Sequence, residues 1–200
     1  MNPLFLASQS PRRAALLSQL GLVFQVLKPK ARESRITDST DVGIIQLAEQ
    51  NALEKAQSVL DSVQDGLILS GDTMVVTQNN QVLGKPTTAQ EALVMLKGLV
   101  GTWHRVISAV AVISANTKKA RVDHVWTTVT FRKVPIDALK CYIAIQEPLG
   151  KAGGYAIQGK GMFLIEKIDG SHSAVIGLPL ELVVSLLMDH GVEVWHYWMG

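Results

Sequence analysis

Two hundred residues, 48% apolar and 6% aromatic, suit one large domain or two small lobes that bury a core without metals or disulfides. Nineteen basic and seventeen acidic residues leave a formal charge of +2, so nothing in the overall charge asks for nucleic acid or an anionic membrane as partner, and any basic site must be local. The single cysteine, Cys141, excludes an internal disulfide and suits a reducing cytoplasm. In the apolar-periodic stretch ALKCYIAI it reads as a small buried hydrophobe.

The first residues, MNPLFLAS, lack the basic start and the long apolar run of a secretory signal, and their charges follow the run. No stretch of roughly eighteen apolar residues occurs elsewhere, so no membrane span is expected. LFLA at 4–7 predicts a buried strand. PRRAALLSQLG predicts a helix with Leu16, Leu17 and Leu20 at helical spacing and Gly21 as its stop. VFQVL at 23–27 resumes as a strand, and the polar, aperiodic residues 28 to 41 read as a loop. From Val42 to Val63 the pattern is helical, with Ile45, Ala48, Ala52, Leu53, Ala56 and Leu60 near one face.

LILSGDTMVV at 67–76 predicts a strand with polar residues in its middle, QNNQ a hairpin turn, and Thr88 the cap of a helix that follows GKPT. HRVISAVAVISA and ARVDHVWTTVTFRKV, joined by NTKK, should pair as a long hairpin. A helix from about Pro135 to Gln146 leads to glycine-rich EPLGKAGGYAIQGKG, a strand MFLIEKI, a turn DGSHS and a helix from about Pro179 to His190. The tail VEVWHYWMG, with Trp195, Tyr197 and Trp198, reads as a core-packing or interface strand, with homodimerisation as its assembly reading. The pattern predicts an α/β (α+β mixed) fold: an elongated, twisted mixed sheet flanked by helices, two lobes with a central cleft, all within one domain over 1–200.

Ser10 is a good N-cap and Pro11 a good first helical residue, so the first-turn N–H groups face whatever lies beyond the strand end. Arg12 and Arg13 stand there against the helix dipole. Either a polyanion compensates them, or both point to solvent at a cost of about a few tenths of a kcal/mol. Asp72, inside an apolar strand beside Gly71, needs a metal, a cation or a capping contact. It is a general base or Mg²⁺ ligand on one reading and a satisfied strand-end aspartate on the other. Glu33, among Lys28, Lys30, Arg32 and Arg35, is a second metal ligand or a solvated glutamate. Lys85, before Pro86, suits a phosphate or an ordinary loop. KAGGYAIQGKG offers a ring-sized pocket read by Gln158, or plain turns. The five histidines show no metal-ligand spacing, and GxSxG is absent. Together these residues favour phosphoryl or nucleotidyl chemistry with Mg²⁺.

LASQSPRRAALLSQLG, GDTMVV, LGKP, TFR and KAGGYAIQGKG followed by GSHSAVIGLPL resemble, in order and spacing, the Maf family of nucleoside triphosphate pyrophosphatases, to about residue 190. The resemblance implies water attack that releases pyrophosphate and a monophosphate, assisted by a divalent metal, Mg or Mn, in a fold similar to the inosine-triphosphate pyrophosphatases. By motif, Asp72 matches the proton acceptor, Ser8, Arg12, Arg13 and Lys85 match phosphate-binding positions, and Glu33 with Asp72 matches the metal-binding acids. Arg12, Thr73 and Gln158 match positions linked to base choice, and KAGxYxIQG resembles the dTTP/UTP branch.

The alternatives are a 7-methyl-GTP or other modified-purine pyrophosphatase, or a nucleotide-binding regulator of septum formation, the role the family name refers to. The chain departs from the family's LAxxKA at Asn51 and carries Lys55 one helical turn on, about 5–6 Å away between Cβ atoms, within reach of the same phosphate. Arg32 beside Glu33 replaces a common acidic neighbour and brings a cation near the metal position. The resemblance implies a cytoplasmic enzyme with a nucleoside triphosphate as its partner.

Overall fold

The computed structural model describes residues 3–31, 34 and 38–198. Strand β1 (Leu4–Ala7) leads into helix α1 (Pro11–Gln19) and edge strand β2 (Gln25–Leu27). The expected strand at 23–27 is shorter because Val23 is exposed and makes no ladder. Helix α2 (Asp41–Gln57), capped by Thr40, is followed by β3 (Leu67–Val76) and β4 (Val82–Leu83), joined through a turn in which Asn80 takes φ 58°. Then come α3 (Ala89–Leu99), the long hairpin β5 (Trp103–Ser114) and β6 (Ala120–Phe131), α4 (Ile136–Ala144), β7 (Ile165–Asp169), α5 (His172–Ile176) and α6 (Leu180–Met188).

The predicted strand over MFLIEKI starts only at Ile165, because 160–164 wind into a 3₁₀ turn. The DGSHS turn runs directly into α5, capped by Ser171. The tail is a 3₁₀ segment, Val194–Trp198, and not a strand; the Trp198 indole N–H donates to the Leu20 carbonyl at 2.7 Å. Cys141 is exposed, not buried, because α4 turns Leu139, Tyr142 and Ile143 inward. Among the described residues no helix is long and apolar enough to cross a membrane.

The seven strands form one mixed sheet in the order β2-β1-β3-β5-β6-β7, with β4 pairing β3. β3 runs parallel to β1 through Leu4↔Leu67 to Leu6↔Leu69, and antiparallel to β4 through Val75↔Leu83 and Val76↔Val82. On its other edge it pairs with β5 along its whole length, Leu67↔Ser114 to Val76↔Arg105. Among the described residues, therefore, no strand pairs with 70–74 of β3 on the side where β1 has ended and β4 has not begun.

Alternation along β3 sends Met74 and Val76 toward α2, where they meet Ile44, Ala48 and Ala52 together with Ile107, Ala109 and Ala111 of β5. Leu67, Leu69 and Val75 face the larger core built with α1, α3, α4 and α6. The alanines on both sides bring α2 close to the sheet, and the Ser70 hydroxyl donates to the Ala52 carbonyl at 2.5 Å. At the start of α2, Arg105 donates to both Asp41 oxygens at 2.9 and 2.6 Å and to Asn80 Oδ1 at 2.8 Å, while stacking on Trp126 at 4.4 Å. One guanidinium thus ties α2 to the β3–β4 turn.

Ala52 has no exposed surface, so Ala52→Leu should overpack this interface and cost about 1–3 kcal/mol. Urea denaturation measures the loss, and an unchanged midpoint would show that α2 does not pack this tightly.

Candidate active site

The end of β1 and the start of α1 form one rim of a cleft. Ser8 Oγ accepts from the Ser10 N–H at 3.1 Å, and Ser10 Oγ accepts from the Arg13 N–H at 3.4 Å as the N-cap. The first turn of α1 holds no acidic residue to offset its cations. Arg13 instead braces the site: its Nε donates to the Gly177 carbonyl at 2.8 Å, Nη2 to Thr73 Oγ1 at 3.3 Å and Nη1 to Ser8 Oγ at 3.5 Å. Thr73 Oγ1 lies 3.0 Å from Ser108 Oγ, its partner across the β3–β5 ladder, and Ser108 donates to the Ala174 carbonyl at 2.8 Å. Gly71 makes room beside this network, since a Cβ there would lie 3.0 Å from the Ala109 carbonyl oxygen.

Asp72 points to the opposite face, toward α2, and is 5% exposed. Lys55 Nζ lies 2.5 Å from Asp72 Oδ1, and Asn51 Nδ2 donates to Oδ2 at 3.3 Å. Lys55 does lie one turn beyond Asn51 and reaches the site, where its ammonium sits on the carboxylate. Asn51 Oδ1 accepts from the Ser34 N–H at 3.0 Å. Glu33, the expected second metal ligand, and Arg32 lie outside the described residues.

The third wall is the glycine-rich segment. Its Gly153 and Gly150 N–H groups donate to the carbonyls of Gly84 and Pro86, at 3.0 and 2.9 Å, on either side of Lys85. Gly153 takes φ +70°, and a Cβ there would press on Val75 at 3.0 Å. The Glu147 carboxylate accepts from the N–H groups of Gly161 and Lys160, at 2.9 and 3.1 Å, and from the Tyr142 hydroxyl at 3.1 Å. Burial pushes the Glu147 carboxyl up, but these donors and the Lys151 charge outweigh it and hold it below its ordinary value. Burial lowers the Lys151 ammonium, and the Arg12 charge lowers it further. Two cations thus repel across the cleft mouth. Behind the wall, His104 Nε2 lies 2.8 Å from the Tyr155 hydroxyl, and both rings pack edge-to-face with Phe131.

These walls enclose a cavity of about 870 Å³ lined by Ser8, Arg12, Arg13, Asn51, Lys55, Asp72, Thr73, Lys85, Lys151, Tyr155 and Gln158, among others. Every candidate from the sequence that falls among the described residues lines it. The sequence reading did not single out Ser108, His104 or Glu147 as supports, and it named Lys151 only as part of the glycine-rich segment. Ser108 becomes visible only through its ladder register with Thr73, and Glu147 only once the 160–161 turn folds back on it. Asp72 is the one carboxylate among the described lining residues. As a hard oxygen donor in a polar cleft it fits Mg²⁺ or Mn²⁺ rather than a soft metal. Elsewhere, Glu49, Asp123 and His124 bring ligand atoms within 4.8 Å of one another, with His124 Nδ1 2.8 Å from Glu49 Oε1. This spacing arises between α2 and β6, where sequence distance hid it, and none of the three lines the cleft.

A mixed sheet with a pairing gap in its central strand, cations on the rim and a carboxylate in the gap define an α/β protein with a cation-rimmed cleft around one carboxylate. Residues 3–190 match the family described as Maf-like protein, and the chain belongs to that family. A dTTP/UTP pyrophosphatase of Moorella thermoacetica is 43% identical over 197 residues, covering 98% of both chains. One from Gloeobacter violaceus is 45% identical over 192 residues, 96% of this chain and 98% of its own. One from Pelotomaculum thermopropionicum is 39% identical over 194, covering 97% and 100%. A solved nucleoside-triphosphatase / dITP/XTP pyrophosphatase from Mycobacterium abscessus aligns over 94% of this chain and 95% of its own at 13% identity and TM-score 0.44. That likeness is too loose to add to the strand order and register, which define the fold by themselves.

Burial pushes the His104 imidazole down from 6.5 to about 4, so it is neutral at pH 7. Below pH 6.5 the unfolded chain takes a proton that the native histidine refuses. Stability should therefore be complete above pH 6.5 and fall toward pH 4, by a total on the order of 3 kcal/mol. Unfolding midpoints measured between pH 7 and 5 should show this slope in the native chain, and His104→Phe should lose one proton's share of it; an equal slope in both chains would refute the assignment.

Proposed function

We propose that this chain is a nucleoside triphosphate pyrophosphatase that hydrolyses dTTP and UTP to the monophosphate and pyrophosphate. The observation that carries the reading is Asp72, held by Lys55 and Asn51 in the gap of β3 inside a cleft rimmed by Arg12, Lys85 and Lys151. The names of the relatives, dTTP/UTP pyrophosphatase, support the same substrates.

The cations at the α1 rim neutralise the triphosphate, and Ser8 and the first-turn N–H groups add donors. Arg13, with Thr73 and Gly177 as partners, keeps the rim in place. Thr73, bonded to Arg13 and Ser108, serves this brace more than base choice. Gln158 reads the base: its amide offers the donor and acceptor pair that matches the N3–H and a carbonyl of uracil or thymine. A water attacks Pα, Asp72 takes its proton, the Pα–O bond to the β-phosphate breaks, and pyrophosphate leaves. A divalent metal, Mg or Mn, held by Asp72 and Glu33, would neutralise phosphate charge when bound.

The reading includes one domain over 1–200 with two lobes about the cleft, and no nucleic-acid partner. It also includes a cytoplasmic setting, which suits the exposed Cys141 thiol, and a homodimer, for which the exposed Trp195 and Trp198 offer apolar surface.

A panel of dTTP, UTP, 7-methyl-GTP and ITP, run with Mg²⁺ and with Mn²⁺ and followed by pyrophosphate release, should give the highest kcat/KM for dTTP and UTP. Preference for a purine would move the assignment to the modified-purine branch. Tight binding without pyrophosphate would make the chain a nucleotide-binding regulator. Asp72→Asn should keep the fold by circular dichroism and lose about 10²–10⁴-fold in kcat; a fully active variant removes Asp72 from the chemistry.

A further inference from the structure

Asn51 is 4% exposed and uses both ends of its amide. Nδ2 donates to Asp72 Oδ2 at 3.3 Å, and Oδ1 accepts from the Ser34 N–H at 3.0 Å. The partners determine which way the amide points, since a carboxylate only accepts and a backbone N–H only donates. Few side chains can fill both roles at this position. A lysine could donate to Asp72 but not accept from Ser34; a carboxylate could accept from Ser34 but would repel Asp72. The positive charge is supplied one turn later by Lys55, on the other oxygen of the same carboxylate.

The segment that Asn51 grips is part of the cleft wall: Pro29, Ala31 and Ser34 line the cavity. It is pinned to α2 a second time where the Lys30 N–H donates to Ser58 Oγ at 3.0 Å, and that hydroxyl in turn donates to the Lys55 carbonyl at 2.8 Å. Helix α2 thus carries two anchors for this wall, and the inner one is bonded directly to Asp72.

We infer that Asn51 is a positioning residue that locks the Ser34 backbone to the Asp72 carboxylate, so that this side of the cleft and the proton acceptor are held in register. The inference rests on the reading of Asp72 as that acceptor. Asn51 acts through Asp72 on one side and Ser34 on the other. A loss of the bridge therefore falls on turnover more than on substrate binding.

Two variants separate the halves of the bridge. Asn51→Leu removes both bonds while keeping the branched shape at Cγ. It should lower kcat on dTTP by about 10–100-fold, with KM within about threefold. Lys30, four residues before Ser34 and held to Ser58 Oγ by its N–H, offers a trypsin site, so cleavage after Lys30 should quicken by about tenfold. Asn51→Asp keeps the acceptor for Ser34 and puts a like charge against Asp72, so it should retain native resistance to trypsin while kcat falls. Native kcat and trypsin rates in Asn51→Leu would overturn the inference, as would a lowered kcat in that variant with native trypsin resistance. A fall in thermal midpoint that accounts for both losses would make Asn51 merely structural. If Asn51→Leu does not fold, Asn51→Asp decides alone, and rapid cleavage there refutes the bridge. A native chain that releases no pyrophosphate from any nucleotide would instead sink the functional reading, and the trypsin comparison would still test the bridge.

Discussion

The site depends on how the edge of one strand is shared. β3 is held along one side by β5 over ten residue pairs, while its other side is taken by β1 up to Leu69 and by β4 only from Val75. Between those points the backbone of 70–74 pairs with no strand among the described residues. An open edge inside a protein needs partners or a ligand, and here it is flanked by the turn at the end of β1, the start of α1 and the glycine-rich segment. Strand alternation then divides the gap: Asp72 faces α2, whereas Thr73 faces Arg13 and Ser108. One short stretch thereby supplies both the carboxylate and part of the brace of the phosphate rim.

Two cations at the start of α1 look misplaced on helix-dipole grounds. The structure gives them different roles. Arg13 spends three of its N–H groups on Gly177, Thr73 and Ser8 and converts an unfavourable charge into a tie across 164 residues of chain. Arg12 stays on the cleft, where its charge works against Lys151. Like charges gathered at a cleft mouth are tolerable to the empty protein because water screens them, and they become favourable when a polyanion arrives.

Much of the fold was legible in the sequence. The long β5–β6 hairpin, the Ser10 and Thr88 caps and the strand carrying GDT all follow from local period and turn chemistry, and they form where the pattern puts them. The misses share a cause. Cys141 sits in an apolar run, but rotating α4 by a fraction of a turn to bury Tyr142 exposes it. The tail is as apolar as a strand, yet it packs as a 3₁₀ turn with the Trp198 indole on the Leu20 carbonyl. His124 has no metal-like spacing along the chain, and only the packing of α2 on β6 brings Glu49 to it.

By itself the sequence determined most of the elements, which residue types could carry charge to a site, and that position 51 lacks a cation, because these depend on residue type and near neighbours. Only the tertiary structure decided that Lys55 sits on Asp72, that Asn51 joins Asp72 to Ser34, and that Arg13 is a brace. Those pairings depend on ladder register and on which face α2 presents, and both are settled by burying the alanine stripe of α2 against β3 and β5, a contact between segments that no local pattern connects.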